Sequence, residues 1–275
     1  MRFLVKYNKF LNEKRLGESP VAQVDNYNIS MSKGVRDKIF FLDKVSPDCI
    51  VDFGSADGFM LSEIKKINPN INLIGYDIDD EMISKSMIKH PDIFVTNDWN
   101  VVMSKISKYK KPAVFLSSVI HEVYSYSTGK NINKFWNDIY SENFKWVIIR
   151  DMMPSKYFEK MNILDVNKIK QHSNPSYLKD FEEYWGDIGR DYRNLLHWLL
   201  KYKYTNNWER ELKENYLPIT LETLKEKIPP NWKIIYEDHY IYEYFKKLIK
   251  NDFGVELVDP THLKMIIENE SYKSK

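Results

Sequence analysis

Val51-Asp52-Phe53-Gly54-Ser55-Ala56-Asp57-Gly58-Phe59-Met60 is the stretch whose reading decides the fold: a short apolar run stops at an acid and breaks into a turn of small residues. Gly54 and Gly58 can adopt positive φ and carry no side chain, so such a turn lets backbone amides come close to a ligand. Downstream, Ile71-Asn72-Leu73-Ile74-Gly75-Tyr76-Asp77 reads as a second strand ending in an acid. That is where a nucleotide-binding βαβ unit holds ribose hydroxyls. The two segments together point to an adenosyl cofactor.

Spacing within the turn separates one cofactor from another. A dinucleotide loop requires G-x-G-x-x-G, with the helix N-terminus facing a pyrophosphate. Here the pattern is Asp52-x-Gly54-x-Ala56-x-Gly58, and the third dehydrogenase glycine is absent. The stretch resembles motif I of class I S-adenosylmethionine-dependent methyltransferases, with Ala56 in place of the family's middle glycine. The resemblance implies S-adenosylmethionine as cofactor, whose ammonium suits an acid at the end of the first strand. It also implies cofactor contacts from Asp52, Gly54, Ser55, Ala56, Gly58, Asp77 and Ile78.

Further segments follow the same order. Ile93 to Trp99 looks like a third strand and an acidic loop, where the family's pattern implies that Asp98 meets the adenine amino group and Trp99 covers the ring. Pro112 to Ser118 reads as a buried fourth strand, its continuation from Val119 to Tyr124 leaving polar groups at the strand's edge, and Phe144 to Asp151 as a fifth. Ligands of open α/β sheets sit beyond the carboxyl ends of the strands, so Asp52, Asp77, Asp98, Ser117 and Arg150 should meet on one rim.

The expected fold is therefore α/β, a Rossmann-like, doubly wound, mostly parallel seven-stranded sheet with a largely helical insertion after the fifth strand. Residues 1–29 form an N-terminal extension that could cover the cofactor, and 30–151 the cofactor-binding core. Residues 152–229 are a helical, aromatic-rich insertion, and 230–275 complete the sheet. The first convincing helix spans Ser32 to Lys44; others are expected over Gly58 to Ile67, Asp80 to Lys89 and Ile132 to Ser141. Leu195, Leu196, Trp198, Leu199 and Leu200 read as core of the insertion rather than as contacts. Trp232 to Tyr236 and His262 to Ile267 are the last two strands, with a helix from Tyr242 to Asn251 between them. The family's last strands form an antiparallel hairpin, so either this hairpin carries an inserted helix or the sixth strand lies elsewhere.

Composition narrows the function classes. The chain has 275 residues, 41 Lys and Arg against 39 Asp and Glu, and one cysteine, Cys49, which rules out an internal disulfide. No apolar run approaches the ~20 residues of a membrane span, and Lys6 interrupts the N-terminal apolar residues before a signal-peptide core can form. A cytoplasmic location is expected. The six histidines lie far apart without close Cys or His partners, so no metal site is expected.

Methyl transfer from a sulfonium is an in-line displacement, helped chiefly by alignment of acceptor, methyl and sulfur. A hydroxyl or ammonium acceptor must also lose a proton. His121, just past the fourth strand and with an ordinary pKa near 6.5, is the candidate base. Its neighbour Glu122 could serve as base, orienting partner or salt bridge, and Tyr124 and Tyr126 could line the pocket. The expected acceptor is a small or medium-sized molecule methylated on O or N. RNA is the alternative, resting on the basic and aromatic Lys201 to Tyr204 and on Lys105 to Lys111; the near balance of charge weighs against it. A cofactor-binding scaffold without catalysis would show an eroded motif, which Asp52, Gly54, Gly58, Asp77 and Asp98 do not. The oligomeric state is left open.

Overall fold

The computed structural model describes residues 34–157 and 163–273. The expected extension over 1–29 lies outside them. Seven strands form one sheet: β1 (Cys49–Phe53), β2 (Asn72–Tyr76), β3 (Phe94–Thr96), β4 (Pro112–Ser117), β5 (Trp146–Met152), β6 (Trp232–Tyr240) and β7 (His262–Asn269). Their order is β3-β2-β1-β4-β5-β7-β6. The first five pair in parallel, while β7 runs antiparallel to both β5 and β6.

Both faces of this sheet are apolar, which is why its central strands read as unbroken hydrophobic runs. Successive side chains point to opposite faces. Val51, Phe53, Val114, Leu116, Val147 and Ile149 join one core, whereas Ile50, Ala113, Phe115 and Ile148 join another. Helix α1 (Phe59–Ile67) packs Leu61 and Ile64 into the second core. After α2 (Asp80–Lys89), helices α3 (Trp99–Ile106), α4 (Ile120–Tyr126) and α5 (Gly129–Ser141) contribute Val102, Ile106, Ile120, Val123, Phe135 and Ile139 to the first. The doubly wound expectation is met.

Helices α6 (Ile163–His172), α7 (Pro175–Trp185), α8 (Tyr192–Lys201), α9 (Trp208–Lys213) and α10 (Leu221–Lys225) follow β5. Most of α8 is buried, and Leu195, Leu196, Trp198, Leu199 and Leu200 form a separate core with Phe181 and Phe253, as core rather than as contacts. Between β6 and β7 lies α11 (Glu243–Phe253), so the hairpin is real and carries an inserted helix. Among the described residues no helix is long and apolar enough to cross a membrane.

Two expectations are corrected. The segment after Asp98 is helix α3 rather than a loop, and the segment after Ser118 is helix α4 rather than a strand edge. Ser118 takes φ of 54°, and this single left-handed residue ends β4 and redirects the chain.

Gly58 is the left-handed cap before α1, with φ of 78°. A Cβ there would lie 2.3 Å from Ser86 Oγ and 3.2 Å from the His90 ring, both from α2 and its C-cap. The glycine thus lets α1 and α2 approach each other. Gly58→Val should lower stability by about 3 kcal/mol, from backbone strain plus overpacking. Ser86→Gly in the same chain should recover part of that loss in a urea titration, and an additive double mutant would rule out the contact.

Candidate active site

A cavity opens at the carboxyl ends of β1, β2 and β4. It is lined by Asp52, Gly54, Ser55, Ala56, Asp77, Ile78 and Ser117 from the sequence prediction, and by Lys38, Ser118, Glu122 and Arg210 among others. Its two non-glycine residues with positive φ, Ala56 at 46° and Ser118 at 54°, are the only such residues among those described. Strain of this kind concentrates at functional sites.

The turn after β1 is held from within. Gly54 N and Ser55 N donate to Tyr76 O, Ala56 N donates to Asp77 Oδ2 at 2.8 Å, and Gly58 N donates to Ser55 O. These amides are spent on the turn and do not form a cradle of free donors for a ligand. What the turn offers is close approach: a Cβ on Gly54, which has φ of 81°, would lie 2.9 Å from Val119 Cγ2. Asp77 clamps the cavity's other side, since its Oδ1 also accepts from Asp79 N at 2.9 Å.

Asp52 and Lys38 stand apart from this bonded frame. Asp52 is 3 % exposed, and no described group lies within hydrogen-bonding distance of its carboxylate. Burial pushes its carboxyl up to about 7, with Lys38 opposing the rise and Asp77 adding to it. The Lys38 ammonium likewise has no hydrogen-bonding or ion-pair partner among the described residues. Burial brings it down to about 8, with Arg150 adding to the fall and Asp52 opposing it. The hydroxyls of Ser55 and Ser117 are also buried without a hydrogen bond. An acid, a cation and two hydroxyls with unspent bonding capacity line one cavity, the arrangement expected of a site made for a polar ligand.

Several predicted residues have other work. Gly58, Asp98, Trp99 and Arg150 do not line the cavity. Asp98 is exposed and caps α3, its Oδ1 accepting from Asn100 N at 2.9 Å. Trp99 packs edge-on against Phe53 and Tyr76, with ring centroids 5.5 and 5.0 Å away. Arg150 is paired with Asp37, Nε to Oδ2 at 2.7 Å, and lies over the Tyr242 ring.

Just beyond the cavity is a charged cluster. His121 is 6 % exposed, and its Nδ1 lies 2.8 Å from Asp151 Oδ1. Asp151 Oδ2 also accepts from Val119 N and Ile120 N, and Oδ1 from Met152 N. Burial alone would lower the imidazole pKa; the Asp151 carboxylate overcomes this, with help from Glu214 and Glu122, and raises it to about 9. His121 is thus an imidazolium at neutral pH, and the expected titration near 6.5 is corrected. Glu122 reaches the cavity and lies 3.3 Å from Arg210 Nη2 of α9. Through Arg210 the helices that follow β5 touch the cavity. Glu214, just past α9, is 3 % exposed and sits 3.7 Å from the same Nη2.

No protein-family model matches the sequence, and no curated protein matches it. Among solved structures, the chain is similar over 98 % of its length to the plantazolicin methyltransferase BamL in complex with a triazolic desmethylPZN analog and SAH, at 13 % identity, 96 % coverage of that chain and a TM-score of 0.48. It is similar over 87 % of its length to a SAM-dependent methyltransferase from Archaeoglobus fulgidus, at 14 % identity, 93 % coverage and a TM-score of 0.42. TehB from Haemophilus influenzae is similar over 85 % of the chain, at 9 % identity, 61 % coverage and a TM-score of 0.43. The sheet itself, five parallel strands closed by an antiparallel β6-β7 hairpin in the order 3-2-1-4-5-7-6, decides the architecture. The fold is that of class I methyltransferases. In that fold the cavity beyond β1, β2 and β4 lies at the reversal of strand order, where open α/β sheets bind ligands.

Proposed function

We propose that the chain is an S-adenosylmethionine-dependent methyltransferase acting on O or N of a small or medium-sized acceptor. One observation carries this reading. The Asp52 carboxylate and the Lys38 ammonium face one cavity without hydrogen-bonding partners among the described residues, a complement to the ammonium and carboxylate of a methionine moiety. Ser55 and Ser117 hydroxyls are available to the same ligand, and Asp77 and Ile78 lie where ribose and adenine would follow. When bound, the cofactor supplies an electrophilic methyl group on a sulfonium. The chain's residues fix its amino-acid end, leaving the Glu122 and Arg210 side of the cavity to the acceptor.

At neutral pH a charged His121 can donate a hydrogen bond but cannot take a proton. Glu122, whose carboxylate borders the cavity, is the better candidate to receive the acceptor's proton. For RNA, Lys201 and Lys203 are poor phosphate ligands here. Lys201 is fully buried with Nζ bonded to the carbonyl oxygens of Glu211 and Glu214, and Lys203 pairs with Asp252. An acceptor held inside the cavity is therefore the favoured class.

The pH dependence of binding follows from Asp52 and Lys38. A ligand ammonium needs ionised Asp52, which protonates as pH falls below about 7. A ligand carboxylate needs charged Lys38, which loses its proton above about 8. Affinity for S-adenosylhomocysteine should therefore peak between about 7 and 8. On the acid side it should fall toward about tenfold per pH unit. Calorimetry at several pH values checks this, and a flat profile from pH 6 to 9 would remove both residues from the ligand.

A further inference from the structure

We propose that His121, Glu122 and Glu214 form a binding site for a divalent first-row transition-metal ion at the acceptor end of the cavity. One ligand atom from each lies within 4.8 Å of the others, close enough for small side-chain movements to bring all three onto one ion. The three come from α4 and from the segment after α9, which Ser125 ties together: its Oγ donates to His121 O and accepts from Asn215 N, both at 2.7 Å.

Two independent features point to a cation. The first is how the imidazole is held. Its Nδ1 is bonded to Asp151 Oδ1, leaving Nε2 as the nitrogen that an ion would ligate by displacing its proton. A carboxylate behind one ring nitrogen and a metal on the other is the usual support of a ligating histidine, fixing its tautomer and raising its basicity. Asp151 is itself anchored by three backbone amides, so the ring is held in place. The second is Glu214, which is 3 % exposed and whose Oε1 has no hydrogen-bond partner. A buried carboxylate oxygen in this condition is costly unless a cation completes it.

Arg210 is the resident competitor. Its Nη2 stands 3.3 Å from Glu122 Oε1 and 3.7 Å from Glu214 Oε1, so both oxygens face the same point in space. The second distance is outside hydrogen-bonding range, and the Arg210 side chain is 28 % exposed. One imidazole with two carboxylates suits Mn²⁺, Co²⁺ or Zn²⁺ better than Mg²⁺, which prefers an all-oxygen shell. Three protein ligands leave positions open, and because Glu122 also lines the cavity an oxygen or nitrogen of the acceptor could fill one of them; with the ion bound, Glu122 serves as ligand and the ion, by lowering the acceptor's pKa, takes over the part given to it as base. That role rests on the methyltransferase reading; the ion site itself does not.

The test is a titration of chelator-treated full-length protein with Co²⁺, followed by its visible d–d absorption, beside a calorimetric titration of the same sample with S-adenosylhomocysteine. The expected result is saturation at one ion per chain. Glu122→Gln and Glu214→Gln should each weaken binding at least about tenfold, and Asp151→Asn about 10- to 100-fold. Arg210→Ala should tighten it, and His172→Ala, at an exposed histidine elsewhere, should leave it unchanged. Glu122 is only partly buried, so its variant keeps the test readable if Glu214→Gln does not fold. Two results would overturn the site: no saturable absorption at millimolar Co²⁺, or saturation indifferent to Glu122→Gln. Because cofactor binding is read separately, a failed metal site leaves the methyltransferase reading standing.

Discussion

Asp151→Ala is expected to cost about 5 kcal/mol or more of folding stability, a large share of the 5 to 15 kcal/mol typical of a folded protein. The substitution strips the partner from a buried imidazolium and leaves the amides of Val119, Ile120 and Met152 without their acceptor. Breaking a buried ion pair from one side costs about 3 to 5 kcal/mol, and each unmet buried amide adds about 1 to 3. Urea titration is the check. The same pair gives stability a direction with pH. The folded pKa of His121 is raised, so its contribution is complete below the ordinary 6.5 and is lost as pH rises toward about 9. Asp151 is depressed, burial opposing and His121 outweighing it, so its contribution is lost only in acid. Between pH 6.5 and 9 the wild type should lose stability that Asp151→Ala lacks throughout. Parallel stability curves for the two proteins over that range would contradict the pairing.

Asp77→Ala should weaken S-adenosylhomocysteine binding by about 10- to 100-fold, corresponding to about 1.5 to 3 kcal/mol of charged hydrogen bonds to ribose hydroxyls. It should also destabilise the unliganded protein, because Ala56 N and Asp79 N lose their acceptor and Ala56 already sits at φ of 46°. Asp77→Asn separates the two effects. Its carbonyl oxygen can still accept one amide, so stability should fall less than in the alanine variant while binding stays weak. If both variants bind normally and differ only in stability, Asp77 is a clamp for the turn and nothing more.

The sheet was legible because its strands are buried on both faces. Cys49–Phe53 and Pro112–Ser117 carry apolar residues at nearly every position, a pattern that survives without any knowledge of neighbours. Helix α4 was hidden for the opposite reason. Its N-terminal amides at Val119 and Ile120 are satisfied by Asp151 from β5, a cap more than thirty positions away in the sequence, and not by a local Ser, Thr or Asp. Helix α3 does carry a local signal in Asp98, its N-cap; one acid can cap a helix or meet an adenine, and spacing alone does not separate the two.

The site was legible in its β1 and β2 half and opaque elsewhere. Asp52, Gly54, Ser55, Ala56 and Asp77 line the cavity because strand ends deliver them there. Gly58 has the backbone of a ligand loop, yet its neighbours are Ser86 and His90, and only the packing of α2 reveals this. Lys38 and Arg210 carried no signal, being two cations among 41, and both reach the cavity from helical segments remote in sequence. Glu214 meets His121 and Glu122 across a separation that no metal-ligand spacing rule covers.

The most direct test of the central claim is calorimetry of S-adenosylhomocysteine and of NAD with the wild type and with Lys38→Met at pH 7.5. The account predicts saturable, micromolar-range binding of S-adenosylhomocysteine to the wild type, no measurable binding of NAD, and a loss of about tenfold or more in the variant, whose side chain keeps its length without the charge that meets the ligand carboxylate. Equal affinity in the two proteins would contradict the role given to Lys38, and no binding of S-adenosylhomocysteine to folded wild type would contradict the methyltransferase itself.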